Sequence, residues 1–261
     1  MIPRLRGLLV FLYGIVGMAL VFLASLPVML LTGSGDLPMW VARRAWAPLG
    51  LWLAGVRLEV HRAGPLPSGP AVFACSHESA LDIWGVVAAI PRSVRYVAKR
   101  EPFDAPVLGW HLALGGHVKV DRRNHAQAVA SLAAAAEQVR AGTSLVVFAD
   151  GTRSRDRRIH PFQKGPFAIA TAAGVLVVPV AVAGAGHIIP RARLEVYPGT
   201  LYVGIGAPVL PAEHPGPEDL LREVRRRIIE MHLAMGGRGG DPEDALAAPG
   251  LEGSSEPGAE A

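Results

Sequence analysis

The sequence predicts an α/β domain with a central, mixed and largely parallel sheet, flanked by helices and preceded by a membrane-attached helical segment. Three observations carry this expectation. Short apolar runs rich in Val, Ile and Leu recur between residues 57 and 205. Between them lie segments whose apolar residues follow helical spacing, and strands that alternate with helices build such sheets. A chain of 261 residues is long enough to bury one substantial core.

The first element is apolar. Residues 8–31, LLVFLYGIVGMALVFLASLPVMLL, include no charged residue. At about 1.5 Å per residue this run reaches across a hydrocarbon core of roughly 30 Å. Arg4 and Arg6 precede it as in a signal peptide. The run nevertheless exceeds the roughly 7–15 apolar residues of a signal and lacks a small-x-small cleavage site, so a retained anchor is expected. Gly14, Gly17 and Pro27 permit a bend, which leaves both a full span and a dip into one leaflet open. Residues 39–55 hold three tryptophans and the pair Arg43 and Arg44. They read either as a helix at headgroup level or as one packed on the domain.

The strands and helices follow in order. Residues 57–62 and 70–76 read as strands joined by the Pro/Gly-rich AGPLPSGP, and a helix begins near Ser79. Residues 93–99 and 116–122 read as further strands. Asn124 can cap a helix in which Val129, Leu132, Ala136 and Val139 share a face, ending at Gly142. Residues 144–149 form a buried strand and 166–173 a short helix. In the strand 174–184, Pro179 argues for an edge position or a bulge. Strands at 194–197 and 201–205 lead to a helix at 218–235. The expected division is therefore 1–56 for attachment, 57–235 for the domain and 236–261, rich in Gly, Pro, Ala and acid, for a disordered tail.

Chemistry-bearing residues cluster at predicted strand ends, where α/β sheets place their sites. In CSHESALDIWG, His77 and Asp82 stand five positions apart. A neutral imidazole is a good general base near neutral pH, and a carboxylate on its other nitrogen fixes the tautomer. On a regular helix five residues turn through about 500°, so the pair meets only if His77 ends the strand and Asp82 enters the first helical turn. The same letters also describe a capping box, with Ser79 as N-cap and Asp82 three residues on. The residues alone leave both readings open.

A second cluster, VVFADGTRSRDRRIHPFQKG (146–165), follows a buried strand with a glycine turn and a dense basic loop. Gly151 permits close backbone approach, and Arg153 can grip a phosphate through two parallel hydrogen bonds. The other basic residues read as a solvated loop or a contact with anionic headgroups. A third segment, 99–124, combines Pro and Gly turns with Lys99, Asp121 and Arg122. Lys and Arg exceed Asp and Glu by 26 to 22, which suits an anionic surface. The basic loop lacks interleaved aromatics and accompanies an apolar segment, so phospholipid and not nucleic acid is the expected partner. Cys75, the single cysteine, excludes an intramolecular disulfide and favours a reducing setting.

In this order the segments resemble the glycerophospholipid acyltransferases of the 1-acyl-glycerol-3-phosphate acyltransferase type. The matching blocks are His77-x4-Asp82, then Lys99, Pro106 and Gly109 with Arg122, then FADGTRS from Phe148 to Ser154, then Val178-Pro179. The likeness covers residues 40–235. It implies His77 as the base for an acceptor hydroxyl, Asp82 as its orienting partner, and a phosphate site formed by Lys99, Arg122, Asp150, Gly151, Thr152 and Arg153. It also implies an acyl-CoA or acyl carrier protein co-substrate with no metal or redox cofactor, and lysophosphatidic acid as acceptor. Attachment to the inner (cell) membrane, with the catalytic domain on the cytoplasmic side, follows from the same likeness. One block departs from the pattern, with Ala149-Asp150 where the family has Pro-Glu. The departure keeps two alternatives open: another lysolipid acceptor, such as a lyso-ornithine lipid, and a catalytically silent lipid-binding protein. Cys75 or Ser79 as a hydrolytic nucleophile is a weaker reading, because no Gly-x-Ser-x-Gly elbow is present.

Overall fold

The computed structural model describes residues 2–121, 125–190, 193–241 and 244. Asn124, Arg122 and most of the expected tail therefore lie outside the described residues. The chain begins with α1 (Ile2–Thr32), α2 (Asp36–Val41), one π turn at Ala42–Trp46 and α3 (Ala47–Leu53). It continues with β1 (Val56–Arg62), β2 (Ala71–Cys75), α4 (Asp82–Ala89), β3 (Val94–Lys99), α5 (Glu101–Asp104), α6 (Leu108–Leu114) and β4 (Val118–Val120). Then come α7 (His125–Arg140), β5 (Ser144–Phe148), α8 (Gly165–Ala173), β6 (Leu176–Ala183), α9 (Ala185–Ile188), β7 (Gly199–Ile205) and α10 (Pro217–Ala234).

Among the described residues, seven strands form one sheet in the order β1-β7-β6-β2-β5-β3-β4. β6, β2, β5, β3 and β4 run parallel, whereas β7 opposes β6 and β1 follows β7. The sheet is thus mixed and mostly parallel, as expected. Strand alternation sends Phe73, Cys75, Val146, Val178 and Val180 to one face, against Leu51, Trp84, Val86 and Val87 of α3 and α4. Val72, Ala74, Leu145, Val147 and Val177 face the other way, against Phe167, Val224, Ile228 and the α7 alanines. Both faces are covered, which is why β2 and β5 read as continuous apolar runs.

One strand expectation resolves to its second alternative and one needs correction. Pro179 marks a bulge and not an edge, because β6 lies between β7 and β2. The proline is tolerated where the β6–β7 ladder breaks. Val180 still pairs with Ile205, but the next bridge joins Val177 to Val209, so the β7 side holds one extra residue. Residues 194–197 are not a strand. The Val196 N–H donates to Pro3 O and the Tyr197 N–H to Ile188 O, so this segment fastens α1 and α9 instead of a neighbouring strand.

The N-terminal helices pack along the domain. Gly7, Val10, Phe22, Ser25 and Met29 of α1 are buried, and Tyr13 and Trp46 each meet the Trp84 ring edge to face. A Cβ on Gly7 would lie 1.5 Å from Leu194 O, so only glycine allows this approach. Much of the rest of α1 is exposed, including Phe11, Leu20, Leu23 and Leu31. Residues 39–55 pack on the domain through Ala47, Gly50 and Leu51, while Trp40 and Trp52 face out. The expected tail begins with residues that return to the domain. Gly239 O accepts from Ile159 N–H, and Asp241 O accepts from Arg225 at 2.5 Å.

Candidate active site

The parallel strands deliver the chemistry-bearing loops to one edge of the sheet. β2 ends at Cys75, β5 at Phe148, β3 at Lys99 and β4 at Val120, and these four strands are neighbours. His77 and the 150–153 turn therefore meet from well-separated stretches of sequence, and Lys99 lies at the same edge, at the end of the strand beside β5. Arg122, two residues beyond β4, lies outside the described residues.

After β2 the chain leaves the sheet in a short loop before α4. Asp82 is fully buried, and its Oδ2 closes that loop by accepting three hydrogen bonds. They come from His77 Nδ1 at 2.7 Å, Glu78 N–H at 2.6 Å and Ser79 N–H at 2.8 Å. The Ser79 bond is half of the expected capping box. The other half is missing, because Ser79 Oγ donates to Ile189 O at 3.2 Å and caps nothing. The bond to Asp82 puts the imidazole proton on Nδ1 and leaves Nε2 as the basic nitrogen. Burial raises the Asp82 carboxyl above its ordinary range, and the bond to His77 works against that rise.

The His77 ring lies flat on Phe148, with centroids 3.9 Å apart and planes inclined by 16°. Phe148 in turn stacks loosely on Tyr96. The aromatic residue that opens the FADGTRS block is thus the shelf for the imidazole, a role the spacing did not disclose. The main chain of His77 is held as well. Its N–H donates to Asp150 Oδ2 at 3.0 Å, and its carbonyl accepts from Ser154 N–H at 2.9 Å.

The turn after β5 depends on Gly151, whose φ of +71° suits glycine and strains other residues. Gly151 N–H returns to Phe148 O at 3.0 Å. Thr152 and Arg153 then face solvent, while Lys99 is half-buried at the end of β3. Asp150 departs from this group. Its carboxylate is buried and spent on the His77 amide, so it braces the loop and does not face an incoming phosphate. Further along the loop, Asp156 accepts from Ser154 Oγ and Arg158 N–H, and Lys164 pairs with Glu218.

Cys75 is buried, and burial pushes its thiol well up, which removes the thiolate a nucleophile needs. With Ser79 Oγ committed to a carbonyl, neither group serves a hydrolytic role. The buried pair Glu78–His232 was also missed by sequence reasoning. Its members are 154 positions apart, and no local spacing links them.

Asp150 yields a pH prediction. Burial holds its carboxyl well above the carboxylate range, and its Oδ1 has no partner among the described residues. A raised folded value means that the contribution to stability is fully present below the unfolded pKa of about 3.9 and is lost as pH rises through the folded value. Asp150→Asn keeps an acceptor for His77 N–H and does not ionise. Thermal midpoints are expected to favour the variant at pH 8, with the advantage shrinking to nothing near pH 4. A less stable variant at pH 8 would contradict this.

Comparison with known proteins agrees with the geometry. Residues 57–183 match the family model described as Acyltransferase. A 1-acyl-sn-glycerol-3-phosphate acyltransferase of Pseudomonas aeruginosa is 33% identical over 187 residues, which cover 70% of this chain and 71% of that protein. The human 1-acyl-sn-glycerol-3-phosphate acyltransferase alpha is 30% identical over 206 residues, covering 76% and 72%. The chloroplastic 1-acyl-sn-glycerol-3-phosphate acyltransferase of Brassica napus is 32% identical over 191 residues, 72% of this chain and 54% of that protein. This chain thus spans about half the length of that plant relative. The crystal structure of the 1-acyl-sn-glycerophosphate acyltransferase PlsC from Thermotoga maritima shares the fold, with a TM-score of 0.73 at 23% identity, covering 92% of this chain and 100% of that one. By the extent and identity of these matches, the chain belongs to the acyltransferase family that includes the 1-acyl-sn-glycerol-3-phosphate acyltransferases.

Proposed function

We propose that the protein transfers an acyl chain from an acyl thioester, carried by CoA or acyl carrier protein, to the free hydroxyl of lysophosphatidic acid. The products are phosphatidic acid and the free thiol. The observation that carries this reading is the 2.7 Å contact between His77 Nδ1 and Asp82 Oδ2 at the edge that also presents Lys99 and the 151–153 turn. His77 Nε2 takes the hydroxyl proton as the oxygen attacks the thioester carbonyl. The imidazolium that forms is stabilised by Asp82, and the tetrahedral oxyanion collapses to expel sulfur, which receives the proton. Lys99, Arg122, Thr152 and Arg153 hold the acceptor's phosphate, with Gly151 allowing the backbone close to it. The reaction requires no metal or redox cofactor, because the thioester supplies the activated acyl group.

The relatives named as 1-acyl-sn-glycerol-3-phosphate acyltransferases support the choice of acceptor. Membrane attachment is supported by α1, which at 31 residues is long and apolar enough to cross a bilayer. Because buried residues from Gly7 to Met29 bind α1 along the domain, we read it as lying in one leaflet; the cytoplasmic side for the domain is carried over from the family likeness. The exposed Trp40 and Trp52 suit the headgroup level of that same leaflet.

Purified protein given labelled acyl-CoA or acyl carrier protein with lysophosphatidic acid is expected to form phosphatidic acid. His77→Ala should lower kcat by at least about 100-fold, the lower range for general-base loss. Equal product from both would refute the mechanism. A panel including lyso-ornithine lipid fixes the acceptor, and inactivity of the wild type on every acceptor would favour a silent lipid-binding protein. For the membrane, Leu23→Asp on the exposed face of α1 should reduce co-flotation with phospholipid vesicles. Undiminished flotation would show that this face does not enter the bilayer.

A further inference from the structure

Beyond the reacting pair, the loop contains a second histidine–carboxylate contact that the mechanism does not use. Glu78 follows His77 directly and is buried. Its Oε1 accepts from His232 Nε2 at 2.9 Å, and its Oε2 accepts from Gly186 N–H at 3.0 Å. His232 is 1% exposed in the last turn of α10. Gly239 N–H donates to its Nδ1 at 3.1 Å, which fixes that nitrogen as an acceptor and places the ring proton on Nε2, facing Glu78. Every polar atom of both side chains is therefore satisfied, in one tautomer.

We propose that Glu78 and His232 are a positioning pair that sets the orientation of the His77–Asp82 dyad, clasped from outside by the glycine turn of residues 236–240. The link to the dyad is the Glu78 main chain, whose N–H supplies the 2.6 Å bond to Asp82 Oδ2. A side chain held at both oxygens leaves that amide little freedom. The clasp is built for closeness. A Cβ on Gly237 would lie 2.4 Å from His232 Nε2, and one on Gly240 would lie 2.4 Å from Ile159 O. Gly239 O accepts from Ile159 N–H at 2.8 Å, and buried Arg225 reaches Ile159 O and Asp241 O. The turn thus joins α10 to the basic loop that bears Arg153. The stretch GGRGG, which reads in sequence as the start of a tail, serves here as a cover over a buried polar contact. A buried carboxylate deprived of its donor is costly, so the pair and its cover stand or fall together.

The inference rests on His77 and Asp82 being the reacting pair, and its test carries one readout that needs no turnover. Three full-length variants separate the possibilities. His232→Leu removes the donor to Glu78, His232→Gln retains an N–H in its place, and Gly237→Ala pushes the ring while changing no charge. For each, kcat and KM are measured with labelled acyl-CoA and lysophosphatidic acid. The tautomer of neutral His77 is read by ¹⁵N NMR in detergent, with the signal assigned by its loss in His77→Ala. We expect kcat to fall about 100-fold in His232→Leu, the scale for a misplacement of about 1 Å, and less in the other two. KM should stay within about twofold, because substrate contacts are untouched. His77 should change from a single Nδ1–H form to a mixture of tautomers. Unchanged kcat with a single tautomer in His232→Leu and Gly237→Ala would overturn the proposal, whereas near-wild-type behaviour in His232→Gln is the rescue expected of a retained donor. So would a loss that tracks only the folded fraction. An inactive wild type would refute the proposed reaction instead, while the tautomer readout still decides this inference.

Discussion

One oxygen atom, Asp82 Oδ2, gathers the local structure around itself. Three donors converge on it from three consecutive residues, His77, Glu78 and Ser79. The carboxylate belongs to the first turn of α4, so the helix closes the loop that follows β2 and aims the imidazole at the same time. Its burial is unfavourable for the charge, which is why the three donors matter. They replace the water that Oδ2 loses, while Oδ1 is buried with no partner among the described residues, and an ionised acceptor makes each of these bonds stronger than a neutral one would be. The sheet supplies the platform, since β2 and β5 are neighbours in parallel register and Phe148 arrives directly beneath the imidazole.

A second layer of restraint surrounds this contact. Asp150 holds the His77 amide from the β5 side, Ser154 holds its carbonyl, and Glu78 is tied to α10 and to α9. Residues distant in sequence thus hold the main chain on both sides of the imidazole. The ring itself remains partly open to solvent, with its side chain 14% exposed, as a base that must receive a substrate proton requires. The buried carboxylates near the site divide the work. Asp82 faces the imidazole, whereas Asp150 and Glu78 brace the backbone that presents it.

Much of this was legible in the sequence, for identifiable reasons. β2 and β5 read correctly because a sheet covered on both faces leaves continuous apolar runs, and His77 and Gly151 follow directly after such runs. The 194–197 segment failed because its amides bond to Pro3 and Ile188 and not to a neighbouring strand, and of its apolar residues only Val196 is buried. Pro179 signalled an edge or a bulge, and the choice between them was not legible because the irregularity lies in the partner segment after Ile205. Glu78–His232 and the stacking of His77 on Phe148 were invisible for a different reason. They join positions distant in sequence, which only the sheet order brings together. Asp150 matched a motif position, but its burial, which decides what the carboxylate does, is a property of the folded chain.

The central claim is that Asp82 acts through the tautomer and orientation it imposes on His77. Its most direct test is kcat for Asp82→Asn, measured with saturating acyl-CoA and lysophosphatidic acid in protein shown to keep the wild-type fold. An asparagine preserves the shape but can present its amide N–H₂ to the ring, which invites the wrong tautomer. The account predicts a fall of about 10⁴-fold, the scale seen when the equivalent change is made in a serine protease triad. A kcat within about tenfold of wild type would contradict it.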